Sequence, residues 1–145
     1  MQRMELSSPE MGLADLFLRA LVEKDKAALQ TLIHAELYFH TPWLELGSGE
    51  DFLTATRRLW ERSKQIVARG KWLSNTRALI VYDLFFEKRI TTVRLANVLS
   101  FKGGKVSEIE QFYDLQPLEN LLAIDGNTFR EIEFFYEARD SLAAQ

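Results

Sequence analysis

The feature that most constrains the fold of this chain is a change in hydrophobic period near Gly70. Before Gly70 the apolar residues recur every three to four positions, which is typical of amphipathic helices. After Gly70 they alternate with other residues over 77–86 and 91–101, two segments rich in β-branched and aromatic side chains that predict strands. Helices followed by neighbouring antiparallel strands predict the α+β class.

The first part of the chain predicts two helices and a strand. Ser, Pro and Glu at 8–10 predict a helix start. Asp25 predicts the N-cap of a second, short helix. Residues 37–41 predict a strand that is ended by Pro42. The first helix should pack through one apolar stripe, which consists of Leu13, Leu16, Phe17, Ala20 and Leu21.

A third, longer helix is predicted over about residues 50–69. Ser48 can cap its first turn, and Gly70 stands where a C-terminal glycine is expected. An apolar stripe follows one face of this helix and consists of Phe52, Thr56, Leu59, Trp60, Ser63, Ile66 and Val67. A sheet that bends around such a helix forms a cone with an open end.

The loop at 102–104 joins the last two strands, and its length decides which side chains share a face. A three-residue loop followed by a bulge pairs Asn97 with Ile109. A two-residue turn would pair Asn97 with Glu110 and bury Glu108 as well, at a cost of several kcal/mol. We therefore predict the three-residue loop. Its concave face carries Leu95, Asn97, Leu99, Ile109, Gln111 and Tyr113.

The strand over 77–86 alternates between two sets that are both apolar enough to be covered, and the spacing across residues 87–89 places Tyr82 inside and Asp83 outside. A carboxylate between Val81 and Phe85 indicates an interface, a cross-strand salt bridge or a catalytic group. Further side chains are predicted to complete the inner pocket or its mouth; they are Phe17, Thr41, Trp43 and Trp60. Trp43 and Trp60 have ordinary core packing as their alternative.

Five short segments resemble the SnoaL-like and nuclear-transport-factor-2-like superfamily. Residues 24–29 and 35–42 resemble its opening helix and first strand, and 49–52 the start of its long helix. Residues 101–106 and 112–115 resemble its last hairpin. The resemblance implies a cystatin-like α+β fold, in which a curved antiparallel sheet wraps around helices and encloses a pocket. It says little about chemistry, because such folds carry unrelated functions.

A single domain over 1–145 is expected from the chain length. The resemblance covers a core of about 9–122, and about 123–145 would form a C-terminal helical extension. Within that extension, residues 127–142 predict a helix whose Phe134 and Phe135 need a packing partner.

Two enzymes of this superfamily carry catalytic residues that this chain lacks at the matching positions. Ketosteroid isomerase has a tyrosine donor, an aspartate base and an aspartate donor where this chain has Phe17, Thr41 and Asn97. Phenylalanine donates no hydrogen bond, and threonine is no base near neutral pH. Limonene-epoxide hydrolase has an acid where this chain has Gln111. The resemblance therefore implies the fold and argues against both reactions.

Two classes of function remain. The first is a pocket that binds a neutral, mostly apolar small molecule, which the amides of Asn97 and Gln111 could orient without proton transfer. The second is a SnoaL-type isomerase, cyclase, dehydratase or hydrolase with His40, Tyr82 or Asp83 in proton transfer. His40 faces out if Thr41 faces in, and a shift of one residue would bring its imidazole inside. Whether the chain is an enzyme stays open.

The composition bounds the remaining partners. The chain has no cysteine, a net charge of −3 and no apolar run of membrane length, so we expect a cytoplasmic protein that binds neither nucleic acid nor membrane. No metal-ligand spacing or dinucleotide motif occurs in the sequence, and no cofactor is expected. A homodimer is expected through the outer sheet face of Val81, Phe85, Val98 and Phe112. The tail residues Phe134 and Phe135 are the competing cover for that face.

Overall fold

Three helices lie against a six-stranded sheet in a computed structural model that describes residues 9–41, 44–74, 76–86 and 91–113. The predictions for Ser8, Pro42, Trp43 and the tail helix at 127–142 lie outside these residues. The elements, in chain order, are α1 (Pro9–Glu23), α2 (Lys26–Leu32), β1 (Ile33–His40), β2 (Glu45–Leu46), α3 (Gly49–Arg62), β3 (Ser63–Ser74), β4 (Arg77–Phe86), β5 (Thr91–Lys102) and β6 (Lys105–Tyr113).

The strands form one curved, unclosed sheet in the order β2-β1-β6-β5-β4-β3. The α+β class is confirmed, but the sheet is mixed rather than purely antiparallel. β1 and β6 run parallel, with Phe39 beside Ile109, and every other pair is antiparallel. β1 and β6 are far apart in the sequence and no hairpin joins them. Turn residues between consecutive strands predict antiparallel pairing, but they give no information about this pair.

The predicted long helix is wrong in its second half. α3 ends at Arg62, and the residues that continue its apolar stripe lie in β3, where Ile66 pairs with Leu84. Lys24 stabilises this helix end, since its Nζ atom donates to the carbonyl oxygens of Trp60 (3.0 Å) and Ser63 (2.7 Å). Pairing with β4 satisfies the backbone of the following segment, which stays in one strand as far as Ser74.

Gly70 is therefore not a helix C-terminal residue but part of a strand. It follows a bulge in β3, where Arg69 is the extra residue between Ala68 and Gly70. A Cβ atom on Gly70 would lie 2.6 Å from the ring of Trp72. Glycine at this position therefore leaves room for the Trp72 ring.

The β5–β6 hairpin differs from both registers considered above. Its turn has two residues, Gly103 and Gly104, at φ 60° and 77°. A bulge after Ser100 then adds Ser107 to β6, so that Asn97 lies opposite Gln111 rather than Ile109. The bulge restores the predicted faces because one extra residue exchanges the two sides of a strand.

The core lies between the helices and the inner face of the sheet. Leu16, predicted in the stripe of α1, is 48% exposed, while its neighbours Phe17 and Leu18 are buried.

The predicted caps of α2 and α3 are present: Asp25 Oδ1 accepts from Ala28 N (3.0 Å) and Ser48 Oγ from Asp51 N (3.1 Å). β1 begins at Ile33, four residues before the predicted strand.

Gly49→Ala should lower the free energy of unfolding by about 1–3 kcal/mol, the usual cost of overpacking. A Cβ atom on Gly49 would lie 2.6 Å from the carbonyl oxygen of His34, so α3 and β1 would have to separate. Gly47→Ala is the control, since nothing lies within 4 Å of a Cβ atom there. Urea unfolding of both variants checks this, and equal stabilities would contradict the close approach.

Candidate functional site

Three polar side chains meet on the inner face of the sheet. Tyr82, Asn97 and Gln111 come from β4, β5 and β6, and their exposures are 4%, 1% and 9%. Asn97 Nδ2 donates to the Tyr82 hydroxyl at 3.0 Å, and Gln111 Nε2 donates to it at 3.4 Å. The register brings them together, since Asn97 lies directly opposite Gln111 and beside Ile80. We call these three residues the amide–tyrosine cluster.

The cluster has hydrogen-bonding capacity that the described residues do not use. Tyr82 accepts two bonds and donates none among them, and Asn97 Oδ1 is buried without a partner. Burial raises the pKa of Tyr82 to about 12, against the opposing effect of the bonds from Asn97 and Gln111. Tyr82 is therefore protonated at neutral pH, and its O–H group can donate to an oxygen atom but cannot act as a base.

A cavity of about 60 Å³ lies beside the cluster, between the helices α1 and α3 and the inner face of the sheet. Two of the three cluster residues, Tyr82 and Gln111, contribute to its wall, and the rest of the wall is mostly apolar. The lining consists of Leu21, Phe39, Thr41, Leu44, Phe52, Ala55, Thr56, Leu59, Tyr82, Gln111 and Tyr113.

Four of the residues predicted for the pocket line this cavity: Thr41, Tyr82, Gln111 and Tyr113. Another group is buried in the core without reaching the lining; it consists of Phe17, Trp60, Leu95, Asn97, Leu99 and Ile109. Asn97 is nevertheless connected to the cavity wall, because it donates a hydrogen bond to Tyr82, which lines the cavity. Trp43 lies outside the described residues.

The sequence contained signals for several lining residues that were not predicted. Phe39 has the same strand parity as Thr41, so it faces inward whenever Thr41 does. Phe52, Thr56 and Leu59 belong to the predicted stripe of α3. The prediction assigned Trp60 alone from this stripe to the pocket, whereas Phe52, Thr56 and Leu59 are the members that border the cavity.

His40, proposed for proton transfer, lies on the outer face of the sheet. Its Nε2 atom is 3.0 Å from Glu108 Oε2, and its ring stacks on Tyr38 with the centroids 4.7 Å apart. Strand parity predicted this orientation once Thr41 faced in. His40 is therefore not positioned to exchange protons in the inner cavity.

Asp83, also proposed for proton transfer, points outward between two arginines. Its Oδ2 atom accepts from Arg69 Nε (2.6 Å) and Arg94 Nη2 (3.0 Å), and its Oδ1 atom accepts from Arg94 Nε (2.7 Å). The bonds from Arg94 lower the pKa of Asp83, burial opposes this, and Arg69 adds to the lowering. The carboxylate thus forms a structural ion pair with the two arginines, which is the cross-strand salt bridge that the sequence left open as one alternative.

A larger depression of about 630 Å³ lies elsewhere, between α2, β1 and the start of α3. Its lining mixes the cations Lys26, Arg57 and Lys105 with the acid Glu50. Among the described residues, the buried side-chain polar atom without a partner is Asn97 Oδ1, and Asn97 does not line this depression. The inner cavity is the stronger candidate because its unused polar groups are already desolvated.

Among the described residues no group of three or more histidine, aspartate or glutamate side chains could hold a metal ion. Likewise, none of the helices in this part of the chain is long and apolar enough to cross a membrane.

Comparison with known proteins supports the fold. No family model matches the chain, and no curated protein matches it. Among solved structures, a SnoaL-like protein from Shewanella putrefaciens CN-32 has a TM-score of 0.68 at 16% identity, covering 81% of this chain and 88% of its own. An NTF2-like protein of unknown function from Cytophaga hutchinsonii has a TM-score of 0.64 at 15% identity, covering 76% and 94%.

An LEH-like epoxide hydrolase from M. tuberculosis is also similar, with a TM-score of 0.64 at 15% identity over 80% of this chain and 94% of that one. Identities this low show the fold alone. The chain therefore has the SnoaL-like, NTF2-like fold that the sequence resemblance predicted.

Proposed function

We propose that the inner cavity, which at about 60 Å³ has room for only a few non-hydrogen atoms, receives the hydroxyl- or carbonyl-bearing end of a neutral, largely apolar small molecule. The observation behind this proposal is the amide–tyrosine cluster at the wall of an otherwise mostly apolar cavity. A few converging polar groups in an apolar wall are the usual composition of small-molecule sites. The O–H group of Tyr82 supplies the hydrogen bond to the ligand oxygen, and the bonds that Asn97 and Gln111 donate to the hydroxyl oxygen fix its orientation.

Binding is favoured over catalysis because of the chemistry of the lining. Within the described residues, the ionisable groups on the cavity wall are the two tyrosines, Tyr82 and Tyr113. A SnoaL-type enzyme is the alternative, and of its three candidate residues only Tyr82 reaches the cavity. A protonated tyrosine could stabilise an oxyanion there, but the reaction would need its base from elsewhere.

The ligand is neutral for an electrostatic reason. No cation or carboxylate lies on the described cavity wall, so a charged ligand would lose its hydration without gaining a counter-charge. An uncharged oxygen loses far less hydration, and the hydrogen bond from Tyr82 offsets that loss. Phe39, Phe52 and Leu59 then contact the apolar part of the ligand.

Tyr82→Phe should weaken binding of an oxygenated probe by roughly 10- to 100-fold, the effect of about 1–3 kcal/mol for one lost hydrogen bond beside polar groups left unpaired. Cyclohexanone and cyclohexanol serve as probes and methylcyclohexane as the apolar reference, with affinities measured by ligand-observed NMR. Native mass spectrometry of freshly purified protein tests whether a molecule is already retained.

Tyr38→Phe is the matched control. It removes the same hydroxyl from a side chain on the outer face that is 38% exposed, so probe binding should not change. Equal loss in both variants would indicate general destabilisation. Unaltered binding in Tyr82→Phe, or equal binding of the apolar reference, would show that the cluster does not recognise the ligand.

A further inference from the structure

Positively charged side chains predominate around the depression of about 630 Å³ between α2, β1 and the start of α3. Lys26 comes from α2, Arg57 from α3 and Lys105 from the first residue of β6, and all three are exposed. The acid in the same lining is Glu50. Three cations against one acid leave an excess of two positive charges, with His34 counted as neutral, whereas the whole chain has a net charge of −3.

The fold brings these cations together from distant parts of the sequence. α2 continues directly into β1, and β6 begins beside β1 with Val106 next to Ile33, which brings Lys105 to the same corner. α3 also begins against β1, since a Cβ atom on Gly49 would lie 2.6 Å from the carbonyl oxygen of His34. Three separate elements therefore contribute a cation to one depression.

The donors of this lining are unused within the part of the chain that the structure describes. None of the three cations forms an ion pair there, whereas the arginines around Asp83 do. The Gln30 amide forms no side-chain hydrogen bond with those residues either, while the Thr54 hydroxyl already donates to the Glu50 carbonyl oxygen at 3.0 Å. Like charges that lie together repel each other, and a bound anion would relieve this repulsion.

The shape and the remaining lining indicate which kind of anion fits. A volume of about 630 Å³ has the size of a small-molecule site, so an organic group fits beside the charged one. Ile33 and Leu53, which are buried, supply apolar contacts for that group. Donors that come from three elements suit the oxygens of a phosphate, which point in several directions, better than the two coplanar oxygens of a carboxylate.

We propose that this depression is a second binding site, which takes a small phosphate monoester. The three cations contact the phosphate, the Gln30 amide donates to one of its oxygens, and Ile33 and Leu53 contact the organic part. Glu50 weakens the attraction without cancelling it. The site is separate from the inner cavity, because the two linings have no residue in common. Its occupancy is therefore independent of the ligand proposed for that cavity.

Phenyl phosphate serves as the probe, and the amide chemical shifts of isotope-labelled protein report where and how tightly it binds. The shifts should change around the depression, and the Kd should rise with ionic strength because salt screens the attraction. Inorganic phosphate lacks the ring and benzoate has a planar carboxylate, so each should bind at least about threefold more weakly.

Variants of single charges test the lining. Arg57→Gln and Lys105→Gln should each raise the Kd of phenyl phosphate roughly three- to tenfold, because each removes a charged contact. Glu50→Gln should lower it roughly twofold, since it removes the opposing charge. The matched controls are Arg58→Gln on the same helix and Lys102→Gln in the same hairpin. They change the net charge equally but lie outside the lining, so the Kd should change by less than about twofold.

Unchanged shifts around the depression at millimolar phenyl phosphate would overturn the proposal. Equal weakening in all four cation variants would also overturn it, because that result indicates nonspecific attraction to a basic surface. Benzoate that binds as tightly as phenyl phosphate would rule out the preference for phosphate. Thermal unfolding of each variant shows that it is folded, so that a loss of binding reports on the site.

Discussion

Phe17→Ala should lower the free energy of unfolding by about 3–5 kcal/mol, the range observed for large-to-small changes at buried aromatic positions. The Phe17 side chain has no exposed surface, and its ring stacks on Phe52 with the centroids 6.4 Å apart. Removal of the ring leaves a hole between α1 and α3 that the sheet behind them cannot fill. Urea unfolding at a fixed protein concentration measures the loss.

The neighbouring residue provides the control. Leu16 is 48% exposed, so Leu16→Ala should change the same free energy by less than about 0.5 kcal/mol. The two residues were equivalent in the helical stripe predicted from the sequence. A large loss at Leu16 and a small one at Phe17 would mean that α1 is rotated relative to the structure.

Asp83→Ala should cost about 2–3 kcal/mol, because a buried carboxylate that accepts three charge-assisted bonds is removed and two guanidinium groups lose their shared partner. The control is Asp15→Ala. Asp15 also forms an ion pair, with Lys71 at 2.9 Å, but the two side chains are 47% and 40% exposed. Such surface pairs contribute about 0–1 kcal/mol, so this variant should unfold almost like the wild type.

The effect of Asp83 should depend on pH in a defined direction. Its pKa is lowered in the folded state, so the folded protein binds this proton less readily than the unfolded chain does. The stabilisation is complete above the ordinary carboxyl pKa of about 4 and is lost as the pH falls through the lower, folded value. The difference in stability between wild type and Asp83→Ala should therefore persist at neutral pH and shrink below about pH 4. A difference that grows on acidification would contradict the ion pair.

Local signals predicted most of the secondary structure. The caps at Asp25 and Ser48 and the three strands β4, β5 and β6 depend on neighbouring residues, and all are present. The sequence spacing across residues 87–89 also placed Tyr82 inside and Asp83 outside. These features follow from the sequence because each is determined over a few residues.

The errors occur where distant parts of the chain decide the structure. Ile66 and Val67 fit a helical stripe and a strand equally well, and pairing with β4, which lies later in the sequence, selects the strand. The bulge at Ser107 was not predictable either. The cost of burying Glu108 and Glu110 required one extra residue in the hairpin, so that both side chains would face outward. That cost did not specify where in the hairpin the extra residue would lie. The amide–tyrosine cluster depends on that register, and so its contacts could not be derived from the sequence.

The parallel pair of β1 and β6 affects how the chain can fold as it is synthesised. β6 lies between β1 and β5 in the sheet, yet it is the last of the described strands to be made. Until β6 emerges, β1 has only the two-residue β2 as a neighbour, and the edge of β5 is also unpaired. Such edges can pair with other chains. A translation product that stops before Lys105 therefore carries two open strand edges at once, and completion of the sheet depends on inserting one late strand between two earlier ones.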